Sequence, residues 1–523
     1  MAKLNVVDRI AAYFSPKAGI QRAQQRAYFE AIKAATRGYE AARPSRKRPF
    51  SRDNSAGNAL ARRSAVAIRN QARQLERDHD IARGILDKLV DFTIGPNGIT
   101  VEPQPKRLDG KLHEELAAEL DTVYRLWSEW PEVTWTHSRP QMERLAQRSR
   151  YRDGEVFGRL VGGWRDDLTH GSAVPLSIQM LEADHCPHDW DGLAGSFRQG
   201  IESDAWGRAR AYHFYRNHPG DDRVFSTLDT IRELAENVLH PRCVDRIGQM
   251  RGISAFAPII TRLQDIFDYE DNERIAAKLA SSLVFGIQTG DPANFDPTKV
   301  PYDPEKPPIY ALDGGMVVAS PHPGAGVTMF DTKRPNTNAE PFVNGQLRRV
   351  SSGVGLSYSA VSRDYNGTYS AQRQELVENW PHYHAETGVF VAQWSRPSYQ
   401  ALVRWWALAR GTALPADLDR STLADAEFLG PSMPVIDPEK EVNSQIMLVQ
   451  AAFKSSSQVV RQLGGNLTET YRQIEAERKQ RELRGIASVV DVPSANVSPA
   501  KPSLPEPAPQ PAAQPGAHLR VVK

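Results

Sequence analysis

The chain has 523 residues, 40% hydrophobic and 24% charged, with 65 Lys and Arg against 63 Asp and Glu, which is the balance of a folded protein of about three domains. Its two cysteines, Cys186 and Cys243, are too few for a disulfide framework, and no apolar run approaches the roughly 18 residues that cross a bilayer. We therefore expect neither a membrane-spanning protein nor a disulfide-stabilised secreted one, and the first residues lack the apolar core of a secretory signal.

Positive charge is concentrated at the start of the chain. Residues 1–63 carry 14 Lys and Arg against four Asp and Glu, whereas the whole chain has a formal charge of only +2, so the remainder is net acidic. A basic arm of this kind can contact nucleic acid or an acidic partner, and it can equally be a solvated surface. The net acidic remainder argues against a protein that grips DNA through many phosphate contacts.

The first half of the chain predicts helices followed by a β-rich module. Apolar residues recur at helical steps over 59–92 and again over 111–130, with a turn at Gly95–Gly98 and a strand at Ile99–Val101 between them. From Gly154 to Phe225, short runs separated by turn residues are typical of β-strands. The clearest of these runs are Glu155–Val161, Leu176–Leu181 and Ala211–Tyr215.

A long helix is predicted after the β-rich module. Ser254 is a suitable N-cap, and no proline occurs between Pro258 and Pro292. A helix from Ser254 to Phe285 would be about 48 Å long at 1.5 Å per residue. Its apolar stripe is interrupted by charged residues, which favours packing against neighbours over a free-standing rod. The first part of the stripe consists of Phe256, Ile260, Leu263 and Phe267.

Irregular and helical segments alternate over the remaining residues. Residues 288–345 are rich in proline and glycine, with a strand-like run at Met316–Val318, and predict a functional insertion. The last 33 residues hold eight prolines and predict a disordered, extended tail. Helices are predicted at 370–391, where Trp380-Pro381 should kink or break the helix, at 399–409, and as a hairpin of 446–463 and 468–484.

Motifs for nucleotide and nucleophile chemistry are missing from the sequence. It contains no phosphate-binding Gly-x-x-x-x-Gly-Lys-Ser/Thr loop. The segments Gly353–Gly355 and Gly355–Ser359 lack the glycines that a dinucleotide fingerprint or a nucleophile elbow requires. We therefore expect no catalytic residue, no cofactor and no enzymatic activity.

Three groups of residues offer metal-ligand chemistry without a complete site. Asp184–Asp189 presents imidazole, thiol and carboxylate groups, which zinc accepts, but no second cluster at suitable spacing completes a tetrahedral site. His382 and His384 would lie on different sides of a helix. The acidic residues between Asp265 and Glu273 would cover several faces of the long helix, so a solvated or subunit-facing surface fits them better than a nuclease cluster. We predict no metal site.

Six short motifs occur in order along the chain. They are Thr93–Ile99 after an arginine-rich helix, Arg152–Phe157, Leu181–Asp184, His240–Pro241 with Arg246–Ser254, Gly355–Tyr358 with Ser362–Tyr365 and Tyr369–Arg373, and Ile436–Glu441. Each motif alone is weak, but six in one order are hard to obtain by chance. Together they resemble the portal proteins of tailed bacteriophages, specifically the lambda-type portal family, over nearly the whole chain except the proline-rich tail.

The resemblance implies an α+β, predominantly helical subunit of the portal type that forms a closed ring around a central channel. Such rings are typically dodecamers at one vertex of the capsid, where double-stranded DNA is packaged and ejected without sequence-specific recognition. The implied partners are other copies of the chain, the terminase large subunit, the major capsid or scaffold protein, and the head-to-tail connector. The implied location is the virion, after synthesis in the cytoplasm of the bacterial host.

The same resemblance divides the chain into regions and assigns candidate site residues. A tunnel loop at Ser362–Tyr369 would bring Arg363, Tyr365 and Asn366 to the DNA, although Arg363 and Asp364 suit an ion pair between subunits equally well. Phe256, Ile260, Leu263 and Phe267 would pack the stem. The regions are a basic N-terminal arm (1–58), a wing of mixed helix and strand (59–245), the stem helix (246–287), a clip-like insertion (288–345), the returning stem, tunnel loop and following helices (346–412), a helical crown (413–490) and the proline-rich tail (491–523).

Two other functions stay open at this point. A DNA-processing enzyme of the phage head would need a metal-binding carboxylate cluster or a nucleophile with its base, and the sequence supplies neither. A head-to-tail adaptor that docks on a portal would usually be a much shorter chain.

Overall fold

The computed structural model describes residues 54–485 with gaps at 193–195, 222–228, 283–285, 289–325, 329–335, 366, 412 and 435–436, together with residues 13 and 15–17. The chain divides into two units, Met1–Ala56 and Gly57–Lys523, and every element named below belongs to the second. The predicted strand at Met316–Val318, most of the basic arm and the proline-rich tail lie outside the described residues.

The first predicted helix is in fact two helices, α1 (Gly57–Asp78) and α2 (Asp80–Thr93). The residue between them, His79, has an extended backbone with φ −123° and ψ 115°. Its side chain is buried, and Nε2 lies 3.2 Å from the carbonyl oxygen of Leu263. This contact joins His79 to a segment that lies 184 positions away in the sequence. Local periodicity therefore does not reveal the break between the two helices.

Strand β1 (Thr100–Pro103) and helix α3 (Glu114–Trp127) follow the predicted turn, and helix α4 (Arg139–Asp153) leads into the β-rich module. The amphipathic helix predicted over 111–130 is thus confirmed with slightly shorter bounds. Its predicted stripe faces the core, since Leu116, Leu120 and Trp127 are buried. The Trp127 indole N–H also donates a hydrogen bond of 2.9 Å to the carbonyl oxygen of Leu176, so the polar end of this buried ring is satisfied.

The β-rich module contains two antiparallel sheets, which confirms the prediction for this part of the chain. The strands are β2 (Val156–Gly162), β3 (Leu176–Glu182), β4 (Phe197–Arg198), β5 (Ile201–Ser203), β6 (Ala209–Tyr215), β7 (Thr230–Leu234) and β8 (Val238–Leu239). One sheet has the order β3-β2-β8 and the other the order β4-β5-β6-β7. Phe157 of the first sheet packs between them against Phe214 and Tyr212 of the second, with ring centroids 5.2 and 5.9 Å away.

The long predicted helix is shorter than expected. Helix α5 spans Ile260–Ser282, so it begins six residues after Ser254, and 23 residues make a rod of about 35 Å rather than 48 Å. Pro258 disfavours helical backbone at the preceding residue, and Ala257 forms a turn by donating to the Ser254 carbonyl at 3.0 Å. Residues 283–285, which carry the predicted end, lie outside the described residues.

A small hairpin and a second long helix follow α5. Strands β9 (Gly286–Gln288) and β10 (Gly326–Thr328) pair in antiparallel fashion, and helix α6 spans Ala339–Val354. The irregular segment predicted to reach residue 345 therefore ends earlier. Helix α6 contributes Leu347 and Val350 to the same core as α5, and this packing stabilises it. The proline-rich sequence before α6 does not predict that packing.

Proline does not break the next long helix. After the short α7 (Tyr358–Ser362), helix α8 runs from Tyr369 to Phe390 through Pro381. Of the two predicted outcomes, a kink or a break, the break therefore does not occur. The neighbouring Tyr383 is buried and stacks on Phe92 with ring centroids 4.8 Å apart, and this packing offsets the hydrogen bond that proline cannot make. A π-helical turn at Val391–Ser395 then leads directly into α9 (Arg396–Ala409).

The last elements are a strand that pairs with β1 and three helices that follow it. Strand β11 (Ala426–Leu429) pairs in antiparallel fashion with β1. Helices α10 (Pro438–Gln450), α11 (Ser456–Gln462) and α12 (Leu467–Arg484) replace the predicted two-helix hairpin. Ala452 has left-handed backbone with φ 58°, and a capping box at Ser455 starts α11, so the predicted first helix is divided by a defined turn.

Two large cores and a smaller one hold the described body together. The largest joins α3, α4, β2, β3 and α9, and the second joins α1, α2, α5, α6 and α8. The third lies between the two sheets. The result is a helix-rich α+β subunit, as predicted. None of the helices in the described part of the chain is long and apolar enough to cross a bilayer.

Candidate functional site

Residues from four of the sequence motifs meet in one charged cluster, which we call the motif junction. It consists of Arg69, Glu155, Asp184, His240 and Arg251. They come from α1, the start of β2, the end of β3, the end of β8 and the approach to α5. All except Asp184 are buried. The chain therefore brings together segments that are up to 182 residues apart in sequence, at the boundary between the β-rich module and α5.

Glu155 is the acceptor at the centre of the motif junction. Its carboxylate accepts from Arg251 Nε at 2.8 and 3.0 Å, from Arg69 at 3.4 Å and from the backbone N–H of Gly252 at 2.9 Å. His240 Nε2 lies 3.1 Å away. Burial alone would raise the pKa of Glu155, but Arg251 and His240 hold it well below its ordinary value. The carboxylate of Glu155 is therefore ionised at neutral pH and is poorly suited to act as a general base.

Arg251 is the donor that matches this anion. Its guanidinium is completely buried and, beyond Glu155, donates to four backbone carbonyl oxygens. An unpaired buried cation would cost several kcal/mol, so these contacts are what makes its burial tolerable. They also fix the loops after β3 and before β5 to the segment that enters α5. The four acceptors are the carbonyls of Ala183 at 3.2 Å, Cys186 at 3.2 Å, Pro187 at 3.3 Å and Gln199 at 2.8 Å.

A second layer of ion pairs connects the motif junction to α1 and α4. Asp153, which is fully buried, accepts pairs of hydrogen bonds from Arg73 at 2.9 Å and from Arg152 at 2.8 Å. Burial would raise the pKa of Asp153, but these two guanidinium groups lower it. Glu76 accepts from Arg148 at 2.5 Å and from Arg152 at 2.9 Å. Such bidentate pairs hold the two helices in one register.

The side chains of Asp184–Asp189, which were considered and rejected as a zinc site from the sequence, have other partners in the structure. The carboxylate of Asp184 is held by Arg69 at 2.9 Å and Arg73 at 2.6 Å. Burial raises the pKa of the Cys186 thiol to about 11, so it is not a thiolate ligand at neutral pH. His188 Nε2 lies 3.0 Å from the carbonyl oxygen of Ala61, on α1.

Among the residues that the structure describes, one group of three side chains does have metal-ligand spacing. Ligand atoms of Glu182, Asp184 and His218 lie within 4.8 Å of one another. Arg73 also contacts both carboxylates, at 3.3 and 2.6 Å, so a cation there would have to displace a guanidinium group. This arrangement suits an ion-pair network better than a metal centre.

The residues predicted to contact DNA lie in the segment between α7 and α8. Arg363 ends α7 in the left-handed conformation, with φ 57°, and its backbone N–H donates to the Ser359 carbonyl at 2.9 Å. Tyr365 is 59% exposed, and its carbonyl accepts from the Gln372 side chain at 2.6 Å. The structure places these two in one short, hydrogen-bonded segment, whereas Asn366 lies outside the described residues.

The four predicted stem residues divide into two groups. Phe256, Ile260 and Leu263 are buried in the core that α5 shares with α1, α2 and α6 of the same chain. Phe267 is 52% exposed, although its ring lies 5.7 Å from that of His79. Ile275, further along α5, is also exposed. Among the side chains of α5 that the structure describes, these two are large apolar groups that the chain leaves exposed.

The sequence reasoning did not assign a role to the residues of the motif junction. Glu155, Asp184, His240 and Arg251 were named within motifs, but their pairing was not foreseen. A usable signal was present, because Glu155 and Arg251 each stand directly between glycine and an apolar residue, and charged residues in such positions are rarely buried unless they are paired.

A family model and two similar phage proteins agree with the resemblance noted from the sequence. The family model described as "Phage portal protein, lambda family" matches residues 43–386. A "Probable portal protein" of Halomonas phage phiHAP-1 is 24% identical over 478 residues, which cover 86% of this chain and 88% of that protein. "Portal protein B" of Escherichia phage lambda is 26% identical over 183 residues, or 33% of this chain and 34% of that protein. Among solved structures, a chain of the "Virion of native gene transfer agent (GTA) particle" aligns with a TM-score of 0.40 at 11% identity, covering 78% of this chain and 98% of that chain.

Proposed function

The chain belongs to the lambda family of phage portal proteins, and we propose that its copies form a closed ring around a channel through which double-stranded DNA enters and leaves the capsid. The observation that carries this proposal is the family match, which spans residues 43–386 and includes all five residues of the motif junction. The ring stands at one capsid vertex, so the protein's place is in the virion.

The proposed regions follow the boundaries set out from the sequence. The wing is 59–245 and the stem is 246–287, and the motif junction lies where these two regions meet. Its role is to hold them rigidly, because a buried network of charges tolerates little displacement before pairs are lost. The clip is 288–345 and the crown 413–490; the arm of residues 1–58 is a further contact surface.

Contact with DNA is assigned to Arg363, Tyr365 and Asn366. The exposure of Tyr365 and the hydrogen-bonded segment that carries it support this assignment. One arginine and one tyrosine per copy give weak, sequence-independent contacts of the kind that a sliding duplex requires. A surface with many phosphate contacts would instead hold the DNA in place.

The role in the particle is structural and not enzymatic. In the motif junction the carboxylates are paired with arginines, which leaves them poorly suited to act as general bases or as metal ligands. The proposed partners are the terminase large subunit, the major capsid or scaffold protein and the head-to-tail connector. A ring of identical copies uses a heterologous interface that closes by rotation.

The test is to purify the full chain from the bacterial cytoplasm and image it by negative-stain electron microscopy, with mass photometry on the same sample. We expect rings with a central hole wide enough for B-DNA and a mass that is a multiple of 58.3 kDa. If the chain stays monomeric across salt and concentration, co-expression with the capsid protein is the second arm. Monomers there as well, or metal-dependent cleavage of plasmid DNA by the purified chain, would contradict the proposal.

A further inference from the structure

Helices α5 and α6 form an antiparallel pair that leaves one side of each helix uncovered. Arg262 of α5 donates a hydrogen bond to the Gln346 side chain of α6. Further along α5, the ring of Tyr269 lies 4.7 Å from that of Phe342, which comes earlier in α6. The buried residues of both helices lie on a different side, in the core shared with α1, α2 and α8. Each helix therefore has an outer face that points away from its partner helix and from the core.

The outer face of α5 is acidic. Its residues are spaced by four and three positions, and all of them are exposed. Asp265 and Asp268 carry its charge, and neither forms a hydrogen bond or an ion pair in the described part of the chain. Like charges at such spacing weaken a helix slightly unless a cation lies beside them. The face consists of Thr261, Asp265, Asp268, Asn272 and Ile275.

The outer face of α6 carries one positive charge on an otherwise uncharged surface. It consists of Pro341, Gly345, Arg348 and Ser352, again spaced by four and three positions. The guanidinium group of Arg348 lies over the ring of Tyr358 at 4.9 Å and meets no carboxylate among the described residues. Its N–H donors thus remain available to an anion outside the subunit. The next arginine, Arg349, lies on a different stripe, with Phe342 and Gln346, which face α5 of the same chain.

Gly345 leaves room for close approach to the outer face of α6. Glycine inside a helix is destabilising relative to alanine, because it loses more backbone entropy on folding. A Cβ added at Gly345 would meet no atom within 4 Å, so the fold of the subunit does not require glycine there. Gly353 of the same helix differs, since a Cβ there would lie 2.6 Å from Cγ2 of Ile259. A helix of another molecule that passes close to α6 would use the space at Gly345.

One antiparallel register matches both the charged and the apolar residues of the two outer faces. On α6, Arg348 lies seven positions after Pro341. On α5, Ile275, which is 46% exposed, lies seven positions after Asp268. Antiparallel helices with equal spacing stay in register over two turns. An ion pair of Arg348 with Asp268 therefore also brings the two apolar side chains together, with the space at Gly345 between the two contacts.

We propose that the outer face of α5 in one copy packs in antiparallel fashion on the outer face of α6 in the neighbouring copy, with Arg348 paired to Asp265 and Asp268. The inference rests on the proposed ring. A second copy is the occupant because one helix pair carries both complementary faces, one on each side, whereas duplex DNA would be repelled by the two aspartates. Each copy gives one face and receives the other, which is a heterologous contact that closes by rotation.

The test exchanges the charges of the two faces. The first variant is Asp265→Arg with Asp268→Arg, and the second is Arg348→Glu, so each variant opposes like charges when it assembles with itself. At low ionic strength, each alone should need about tenfold more protein than the parent to form rings in mass photometry. An equimolar mixture of the two variants restores opposite charges at every contact and should assemble within about threefold of the parent concentration. The matched control is Arg349→Glu, which should assemble like the parent.

A second measurement uses the space at Gly345. Gly345→Leu meets nothing in its own subunit, so the unassembled chain should be at least as stable as the parent in chemical denaturation. The added side chain should nevertheless push the neighbouring helix away and raise the concentration needed for ring assembly by about tenfold. Gly84→Leu on α2, where an added Cβ also meets no atom within 4 Å, should leave assembly unchanged.

The outcomes separate this contact from the proposed function. Circular dichroism first shows that each variant folds like the parent. Rings that form equally well with either charge variant alone, or variants that fail alone and fail again when mixed, would overturn the contact and leave the ring standing. Equal effects of Gly345→Leu and Gly84→Leu would overturn it as well. A parent chain that forms no ring in either arm of the assembly test would overturn both the contact and the proposed function.

Discussion

A Cβ atom at position 252 would lie 2.0 Å from the carbonyl oxygen of Gly154. In the other direction, a Cβ at Gly154 would lie 2.5 Å from the carbonyl carbon of Ile253, and Gly154 itself has a φ of +92°. The same carbonyl oxygen of Gly154 accepts from the Cys243 backbone N–H at 2.7 Å. The backbone that ends α4 and the backbone that leads into α5 therefore touch directly, with space only for glycine.

Gly252→Ala should destabilise the fold through this contact. We expect the free energy of unfolding to fall by about 1–3 kcal/mol, the range seen when a packed site is overfilled. Chemical denaturation followed by circular dichroism measures it. The matched control is Gly84→Ala within α2, where no atom lies within 4 Å of the added Cβ and a gain of up to about 1 kcal/mol is expected from helix propensity. Equal stabilities of the two variants would refute the contact.

Arg251→Met should lower the free energy of unfolding by more than a substitution at the protein surface does. It leaves Glu155 buried without its main partner, and breaking a buried pair typically costs about 3–5 kcal/mol. Glu155→Gln in the same background removes the stranded charge and should restore part of the loss. A double-mutant cycle on the free energy of unfolding measures this coupling. Additive effects of the two substitutions would show that the pair does not act as a unit.

His240 should give the fold a dependence on pH. Burial lowers its pKa from 6.5 to about 4, so between these values the unfolded state binds a proton that the folded state does not. The contribution of His240 to the free energy of unfolding is therefore fully present above pH 6.5. It falls by about 3 kcal/mol as the pH is lowered towards 4. His240→Gln keeps an N–H donor for Glu155 and should flatten the slope of unfolding free energy against pH. His188, whose pKa burial also lowers to about 4, and His185, whose pKa burial also lowers, should contribute to the remaining slope. An unchanged slope in the His240→Gln variant would contradict the assignment.

Arg363→Gly should separate assembly from DNA contact. Glycine accepts the left-handed backbone at position 363 without strain, so rings should form normally. Loss of the guanidinium should weaken binding of duplex DNA to the ring and reduce the steepness of its salt dependence, because fewer phosphates are neutralised. Fluorescence anisotropy across a salt series measures both. Arg349→Ala on α6 removes one positive charge without placing glycine inside a helix, and an identical response from it would remove Arg363 from the proposed channel contact.

Local periodicity identified most helices and the β-rich module, because amphipathic spacing is imposed by whichever face is buried. It missed the break at His79 because the ring of that residue contacts Leu263, 184 positions away. It also began α5 six residues too early and allowed a break at Pro381 as an alternative to a kink, whereas α8 continues through that residue.

The motif junction was beyond sequence reasoning for a related reason. Arg69 and Asp184 are 115 positions apart, and Glu155 and Arg251 are 96 apart, so nothing in the local pattern pairs them. The stem stripe shows a further limit: spacing predicted that Phe256 and Phe267 share a face, but it does not say whether the same chain or another copy covers each of them. Only the first is buried by its own subunit.

Helix α8, the π-helical turn and α9 follow one another without an intervening loop, so they form one long helical segment. Glu386 of α8 is held by Arg150 of α4 at 2.8 Å and by the hydroxyl of Tyr151 at 3.4 Å. Glu386 lies about 26 Å along the helix axis from Tyr369, at 1.5 Å per residue. Because α8 is continuous over that length and is held at Glu386, we expect a displacement of the segment before α8 to be transmitted to α4. The end of α4 leads directly into Glu155, so the same displacement would reach the motif junction.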